Sequence, residues 1–277
     1  MGLRISTNVQ SLAAQRTLSK NKMEQDASLE KLASGNRINR ASDDAAGLGI
    51  SEKLKANIRG TQQAARNAGD GISMIQTAEG GLEEVSNILI RLRELSVQAA
   101  SDTIGDTERK FADLEFQQLG NEIDRISGTT KFNGRSLLTG EGEQLDFQVG
   151  VLNDEFNDRI SYDPSASNST ADSLGVKGLA IQQKEDAQSN LEVIDTAIDA
   201  INANRANLGA TQNRLQSTIS NLETSVENAS AANSRVRDTD VAKVSADLAK
   251  SNILNAANTS VLAQANSSNA SALKLLN

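Results

Sequence analysis

Apolar residues recur every three or four positions along most of this 277-residue chain, which is the periodicity of amphipathic helices. The clearest series is sustained for more than six heptads, a pattern that packs one helix along another. It predicts a long helix over about positions 188–236. Its members are Leu191, Ile194, Ile198, Ile201, Leu208, Leu215, Ile219, Leu222, Val226, Ala229 and Val236.

A second apolar series predicts another long helix, over about positions 45–100. It runs from Leu54 to Ile75, slips by one residue, and continues from Ala78 to Leu92. The slip lies beside Gly80 and Gly81, so a local change in helix winding is expected there. At 1.5 Å per residue, the two long helices would extend for about 80 Å and about 70 Å.

A third helix is predicted from Thr107 to about Ser127, with Asp106 or Thr107 as its N-cap. Helices of this kind, arranged antiparallel or staggered, form a rod-like bundle. The apolar residues of the third helix are Phe111, Leu114, Leu119, Ile123 and Ile126.

The two ends of the chain are helix-compatible but only weakly amphipathic. Many positions in 3–34 and 241–276 are Ala, Ser or Asn, so each terminal helix alone would be marginal in water. They are interpreted either as frayed tails or as segments that fold only when packed with partners. Their larger apolar residues are Ile5, Val9, Leu12, Leu18, Leu29, Leu32, Val241, Val244, Leu248, Ile253, Leu254, Val261, Leu262, Leu273, Leu275 and Leu276.

The middle of the chain breaks the helical pattern. Residues 128–142 form a turn-rich connection, and the alternating stretches QLDFQV (144–149) and DRISY (158–162) predict a β-hairpin. Residues 164–173, rich in Ser, Asn and Ala, are interpreted as a surface linker. The predicted fold class is therefore mainly α, with long antiparallel helices and one small hairpin.

The amino-acid composition limits the kinds of catalytic and metal site that the chain could form. The chain has no His, Cys or Trp and carries a net charge of −8, so the usual proton shuttle and soft metal ligands are missing. We expect no catalytic residues, no cofactor and no metal. The acidic balance argues against nucleic-acid binding, and no segment approaches the roughly 18 apolar residues that membrane insertion needs.

The stretch ASDDAAGLGIS (41–51) has adjacent carboxylates that could suggest an acid/base pair or a hard-metal site. Helix initiation is the favoured interpretation, with Ser42 as N-cap and Asp43 and Asp44 in the first turn of the long helix. A further hypothesis pairs one of these carboxylates with Arg235 or Arg237, within one subunit or between two.

Four long segments together closely resemble bacterial flagellin. They are RINRASDDAAGLGISEKLKANIRG (37–60), RNAGDGISMIQTAEGGLEEVSNILIRLRELSVQAA (66–100), NEIDRISGTTKFNGRSLL (121–138) and SRVRDTDVAKVSADLAKSNILNAANTSVLAQAN (234–266). The resemblance covers roughly 1–139 and 187–277. Only about 45 residues separate the two parts, so the chain resembles a minimal, two-layer member of that family.

The resemblance implies an inner domain of paired terminal helices, at 1–42 and 236–277. It implies an outer rod domain at 43–235, with the hairpin at about 144–162. The domain junction would hold Ser42, Asp43, Asp44, Arg235, Arg237 and Asp238. The implied subunit-assembly core is Ile5, Val9, Leu12, Leu29, Leu32, Leu248, Ile253, Leu254, Val261, Leu262, Leu273, Leu275 and Leu276.

The function implied by the resemblance is structural: the chain polymerises with copies of itself into the extracellular flagellar filament that drives swimming. The family's subunits leave the cell unfolded through the flagellar type III export apparatus, after an export chaperone has held the C-terminal region. They add at the distal tip beneath a filament cap protein, and the filament joins a hook-filament junction protein. The alternatives are a junction protein of the same family or a cytoplasmic coiled-coil scaffold.

The resemblance also implies a surface recognised by the flagellin-sensing Toll-like receptor of animals. The family's motif there matches Arg91 and Leu95, with Glu115 on the neighbouring helix. Leu119 departs from the arginine of strongly recognised flagellins, which predicts weaker binding.

Overall fold

The structure is a computed structural model that describes residues 7–274, with side chains through Ser268. The described part confirms the predicted fold class, long helices with a small antiparallel hairpin. None of the helices within residues 7–274 is long and apolar enough to span a bilayer. The α-helices are α1 (Val9–Ser34), α2 (Ala45–Ala99), α3 (Asp106–Thr129), α4 (Lys184–Arg237) and α5 (Val241–Lys274).

Contacts within the chain separate two compact units. The terminal unit comprises residues 1–56 and 228–277, and the central unit comprises residues 57–227. The domain limits expected from the sequence differ from these: 42/43 lies in the turn before α2, and 235/236 lies near the end of α4. The limits expected from the sequence therefore stay a prediction.

In the central unit, α2 and α4 are antiparallel. Lys184 bonds Asp102 at 2.8 Å, Arg93 bonds Asp195 at 2.5 Å, and Arg205 lies 3.9 Å from Glu79. Across these three pairs the residue number rises along α4 while that of its partner falls, as antiparallel pairing requires. The predicted stripes supply the buried core between them, with Leu82, Val85, Leu89 and Leu92 from α2 and Ile194, Ile201, Leu208 and Leu215 from α4.

Helix α2 continues through Gly80 and Gly81 without interruption, and the change in winding expected there stays a prediction. The two glycines have different surroundings. A Cβ at Gly81 would lie 2.7 Å from Leu138 Cδ1 and from Thr130 Oγ1, whereas a Cβ at Gly80 would meet nothing within 4 Å. Gly81 therefore permits a close approach of the segment that follows α3.

The predicted cap and apolar face of α3 need correction. Its N-cap is Gly105, which makes no side-chain cap bond, so neither Asp106 nor Thr107 has that role. Phe111 is 68% exposed and Leu114 is also exposed. The prediction is confirmed for Ile123, which is buried, while Leu119 and Ile126 are partly buried against the same core. Phe116, which the periodicity did not single out, is buried with them.

The predicted hairpin is confirmed: β3 (Leu145–Gln148) pairs antiparallel with β4 (Arg159–Tyr162). A smaller hairpin, β1 (Lys131–Phe132) with β2 (Arg135–Ser136), lies in the stretch expected to be a turn-rich connection. Its turn is Asn133-Gly134, with φ values of 50° and 80°. The dipeptide Asn-Gly favours such a two-residue turn, so this hairpin could have been predicted from the sequence.

The expected surface linker at 164–173 is a packed segment. Ser167, Ser169 and Ala171 are buried. Ser127 Oγ donates to the Ser169 carbonyl at 2.7 Å, and Asp124 accepts from the Ala171 amide at 2.8 Å. Composition suggested exposure, but α3 satisfies the polar groups of this segment and so allows its burial.

Candidate assembly surfaces

Helices α1 and α5 pair along their lengths in the terminal unit through polar side chains. Asn8 Nδ2 donates to the Ala265 carbonyl at 2.9 Å. Further along, Gln25 Nε2 donates to Asn252 Oδ1 at 2.6 Å, and Asn255 Nδ2 donates to Gln25 Oε1 at 2.7 Å. The order of these bonds shows that the two helices are antiparallel.

The residues buried between α1 and α5 are small or polar. They are Ser11, Ala14, Asn21, Ser251 and Ala265. Small side chains let two helices approach closely, but their burial contributes little hydrophobic free energy. The pair therefore buries few of the apolar side chains that its own helices carry.

Most of the large apolar residues that the structure describes on these helices are exposed. Ile253 is 70% exposed and Val9 is 66% exposed. Of the residues expected in the subunit-assembly core, the exposed ones are Val9, Leu12, Leu29, Ile253, Leu254 and Val261, and the half-buried ones are Leu32, Leu248 and Leu262. Ile5, Leu275 and Leu276 lie outside the described residues, and so does the side chain of Leu273.

The turns that precede α2 and follow α4 are bonded to each other in the terminal unit. Gly35 ends α1 in the left-handed conformation at φ 70°, and its carbonyl accepts from the Thr239 amide at 2.9 Å. The Arg37 amide donates to the Arg237 carbonyl at 2.6 Å, and Asn36 bridges to Asp238. Backbone bonds thus fix both turns to each other.

The two adjacent carboxylates bind backbone amides. Asp43 accepts from the amides of Asn39 and Arg40, both at 3.0 Å. These two bonds lower the pKa of the Asp43 carboxyl, and the bond from Arg40 has the larger effect. Asp44 Oδ1 accepts from the Gly47 amide at 2.8 Å, so the N-cap of α2 is Asp44. Ser42 is exposed and precedes the cap.

The expected Asp–Arg pair does not form within the subunit. Among the described residues, no ion pair joins Asp43 or Asp44 to either candidate arginine. Arg237 instead bonds Glu52 at 2.5 Å, and Arg235 is exposed. The partner of Arg237 lies two turns inside α2, beyond the carboxylates that cap it.

The residues matched to the receptor motif are only partly at the surface. Arg91 Nε donates to Glu115 at 2.9 Å, and Arg91 Nη1 donates to Glu94 at 2.9 Å. Both bonds raise the pKa of Arg91, and the bond to Glu115 has the larger effect. Leu95, however, is 2% exposed in the core of the central unit. In this fold it supports the surface without forming part of it.

Two exposed apolar patches in the central unit were missed from the sequence. The first is in the β3–β4 loop, where Phe156 is 90% exposed and Leu152 is 73% exposed. The second is on α2, where Ile90 and Val97 are both exposed, two helical turns apart. For Ile90 and Val97, the signal in the sequence was that both fall outside the core phase of the α2 periodicity.

The described residues were compared with the requirements of a metal site. Within residues 7–274, His, Cys, Asp and Glu side chains form no group of three or more that could hold a metal ion.

Comparison with known proteins defines the class. A family model for the bacterial flagellin N-terminal helical region matches residues 5–143, and one for the C-terminal helical region matches residues 191–276. The chain is 44% identical to a flagellin of Halalkalibacterium halodurans, over 98% of this chain and 99% of that protein. It is 41% identical to the flagellar filament 33 kDa core protein of Treponema phagedenis, again over 98% and 99% of the two chains.

A solved structure agrees with these relatives. The crystal structure of Bacillus cereus flagellin is 34% identical, with a TM-score of 0.50, and the match covers 57% of this chain and 88% of that one. The chain belongs to the bacterial flagellin family. It is a structural subunit of the extracellular flagellar filament, which serves motility.

Proposed function

We propose that subunits of this chain polymerise through the outward apolar faces of α1 and α5, and that the protein has no catalytic role. The observation that carries the proposal is the distribution of side chains in the terminal unit. Small and polar residues hold α1 to α5, while Val9, Leu12, Ile253 and Val261 remain exposed. Exposed apolar groups in such number mark an interaction surface.

The energetics favour assembly over a free terminal unit. Covering the exposed part of one Val, Leu or Ile contributes about 1 kcal/mol. Repeated over the exposed residues of both helices, this amounts to several kcal/mol for each subunit added. A paired helix hairpin with so small a core gains more from neighbours than from its own contacts.

The further partners proposed are those of filament construction: the flagellar export apparatus, an export chaperone for the C-terminal region, a filament cap protein and a hook-filament junction protein. Terminal helices with little core of their own suit export in an unfolded state and addition at the distal tip. Recognition by the flagellin-sensing Toll-like receptor, through Arg91 and Glu115 with Leu95 beneath them, stays a prediction.

Substitution of Ile253 by Ser tests the assembly surface. The Ile253→Ser subunit should fold as the unmodified chain does, because Ile253 lies outside the cores of both units. It should add to filament seeds at a critical concentration raised about tenfold, which corresponds to about 1.4 kcal/mol of lost burial. Sedimentation of seeded mixtures measures this concentration.

The matched control is Lys250→Ser, an exposed polar residue one turn away on α5. It should assemble like the unmodified chain. Equal critical concentrations for Ile253→Ser and the unmodified chain would contradict a role for this face.

A further inference from the structure

We propose that the turn of the β1–β2 hairpin, Asn133-Gly134, is a site of self-modification, at which the Asn133 side-chain amide is converted to a carboxylate by deamidation. The reaction needs only this chain and water. It does not depend on the assembly surface proposed above. Three features of the turn support it.

The reaction begins when the backbone nitrogen of Gly134 attacks Cγ of Asn133, the carbon next to it in space within one chain. The N–Cγ bond forms, the Cγ–Nδ2 bond breaks, and the backbone amide proton leaves with Nδ2 as ammonia. Water then opens the resulting five-membered imide at one of its two carbonyl–nitrogen bonds. One opening gives aspartate and the other gives isoaspartate, in which the backbone passes through the side chain. One water is consumed and one ammonia is released.

The first feature is the residue that follows Asn133. Asn133 is the only asparagine of the chain that is followed by glycine. Glycine has no Cβ, so its nitrogen can approach the preceding side chain without a steric clash. Every other asparagine that has a following residue precedes one with a side chain.

The second feature is that both reacting groups are free. Asn133 and Gly134 are exposed, and Phe132 pairs with Arg135 across them, which leaves the two turn residues outside the ladder. In the described part of the chain, no hydrogen bond occupies the Asn133 side chain or the Gly134 nitrogen. Water therefore reaches the turn, and nothing holds the nucleophile.

The third feature is the small cost of moving the turn. Only two residue pairs, Lys131–Ser136 and Phe132–Arg135, join β1 to β2, and so short a ladder is marginally stable by itself. Asn133 has a φ of 50°, a left-handed conformation that residues with a side chain adopt uncommonly. The turn can therefore leave this conformation for the one that brings the Gly134 nitrogen to Cγ.

The pair Asp70-Gly71 shows what a different local structure does to a similar dipeptide. It lies inside α2, where each backbone amide donates to the carbonyl four residues earlier. Gly71 is also packed, since an added Cβ would lie 3.0 Å from Phe147 Cδ1. The Gly71 nitrogen is thus unavailable for attack.

Modification at the turn would act on the core that follows it. Isoaspartate lengthens the backbone of the turn by one carbon, while Leu137 and Leu138 are fully buried a few residues later. The Tyr162 hydroxyl donates to the Leu137 carbonyl at 2.8 Å, which fixes that segment in place. Because a filament subunit stays outside the cell, the modified fraction should rise with the age of the protein.

Peptide mass spectrometry tests the proposal. Trypsin cleaves after Lys131 and Arg135 and so releases Phe132–Arg135, in which Asn133 is the only asparagine. The folded chain is kept in warm, mildly alkaline buffer and sampled over time. We expect this peptide to gain about one dalton about tenfold faster than any other asparagine reacts, because only Asn133 precedes glycine. The product should separate into aspartate and isoaspartate forms of equal mass.

The matched control is Asp70→Asn, which places the same dipeptide inside α2 at an exposed position. In the folded chain the amide at position 70 should react about tenfold more slowly than Asn133, because the helix holds the Gly71 nitrogen. In urea the difference should largely disappear. Equal rates at the two positions in the folded chain would overturn the proposal. So would a rate at Asn133 no higher than at other asparagines, or aspartate without isoaspartate, which indicates direct hydrolysis.

Discussion

At the scale of single residues, local chemistry decides the role of the Asp43–Asp44 pair. The helix start could be predicted from the sequence, because Ser and Asp before an apolar series are typical of an N-terminus. Which residue caps α2 could not, because Ser42, Asp43 and Asp44 all suit the role and only the path of the chain selects Asp44. The partner of Arg237 was unpredictable for a similar reason, since it depends on the register between α2 and α4.

Substitutions at Asp44 distinguish a role as helix cap from a role in an ion pair. Asp44→Ala should lower the stability of the α2 start by about 1 kcal/mol, measured by hydrogen exchange of the amides at 46–48. Asp44→Asn should retain most of the protection, because the cap requires an oxygen acceptor and no charge. An Asn variant as damaged as the Ala variant would mean that the charge of Asp44 matters, and would restore the ion-pair hypothesis.

At the scale of helices, periodicity predicted the long elements and much of the central core. The buried positions of α2 and α4 repeat at three and four residues, and that spacing is visible in the sequence. The exposed side of α3 was harder to predict, because Phe111 and Leu114 are as apolar as the residues that α3 buries. Burial in α3 depends on where the 164–181 segment packs, and sequence spacing does not contain that information.

The adjacent glycines of α2 provide a prediction with an internal control. Gly81→Ala should destabilise the central unit by about 1–3 kcal/mol, because its Cβ would overlap Leu138 and Thr130. Gly80→Ala should stabilise it by up to about 1 kcal/mol, since nothing lies within 4 Å and alanine is the better helix former. Urea unfolding of the two variants checks the signs, and equal effects would contradict the close approach at Gly81.

At the scale of the whole molecule, the two units differ in how they use apolar residues. The central unit buries most of them in a continuous core, whereas α1 and α5 of the terminal unit leave Val9, Leu12, Ile253 and Val261 exposed. The sequence predicted weak terminal helices but left frayed tails and partner-dependent folding as alternatives. Pairing of α1 with α5 through asparagine and glutamine side chains could not be foreseen, because those residues favour many environments.

The central claim is that neighbouring subunits cover the exposed faces of α1 and α5. The most direct measurement is an electron cryo-microscopy reconstruction of filaments grown from this chain, at a resolution that shows side chains. Val9, Leu12, Ile253 and Val261 should each contact helices of adjacent subunits and lose most of their exposed surface. Filaments in which these four side chains still face solvent would contradict the claim.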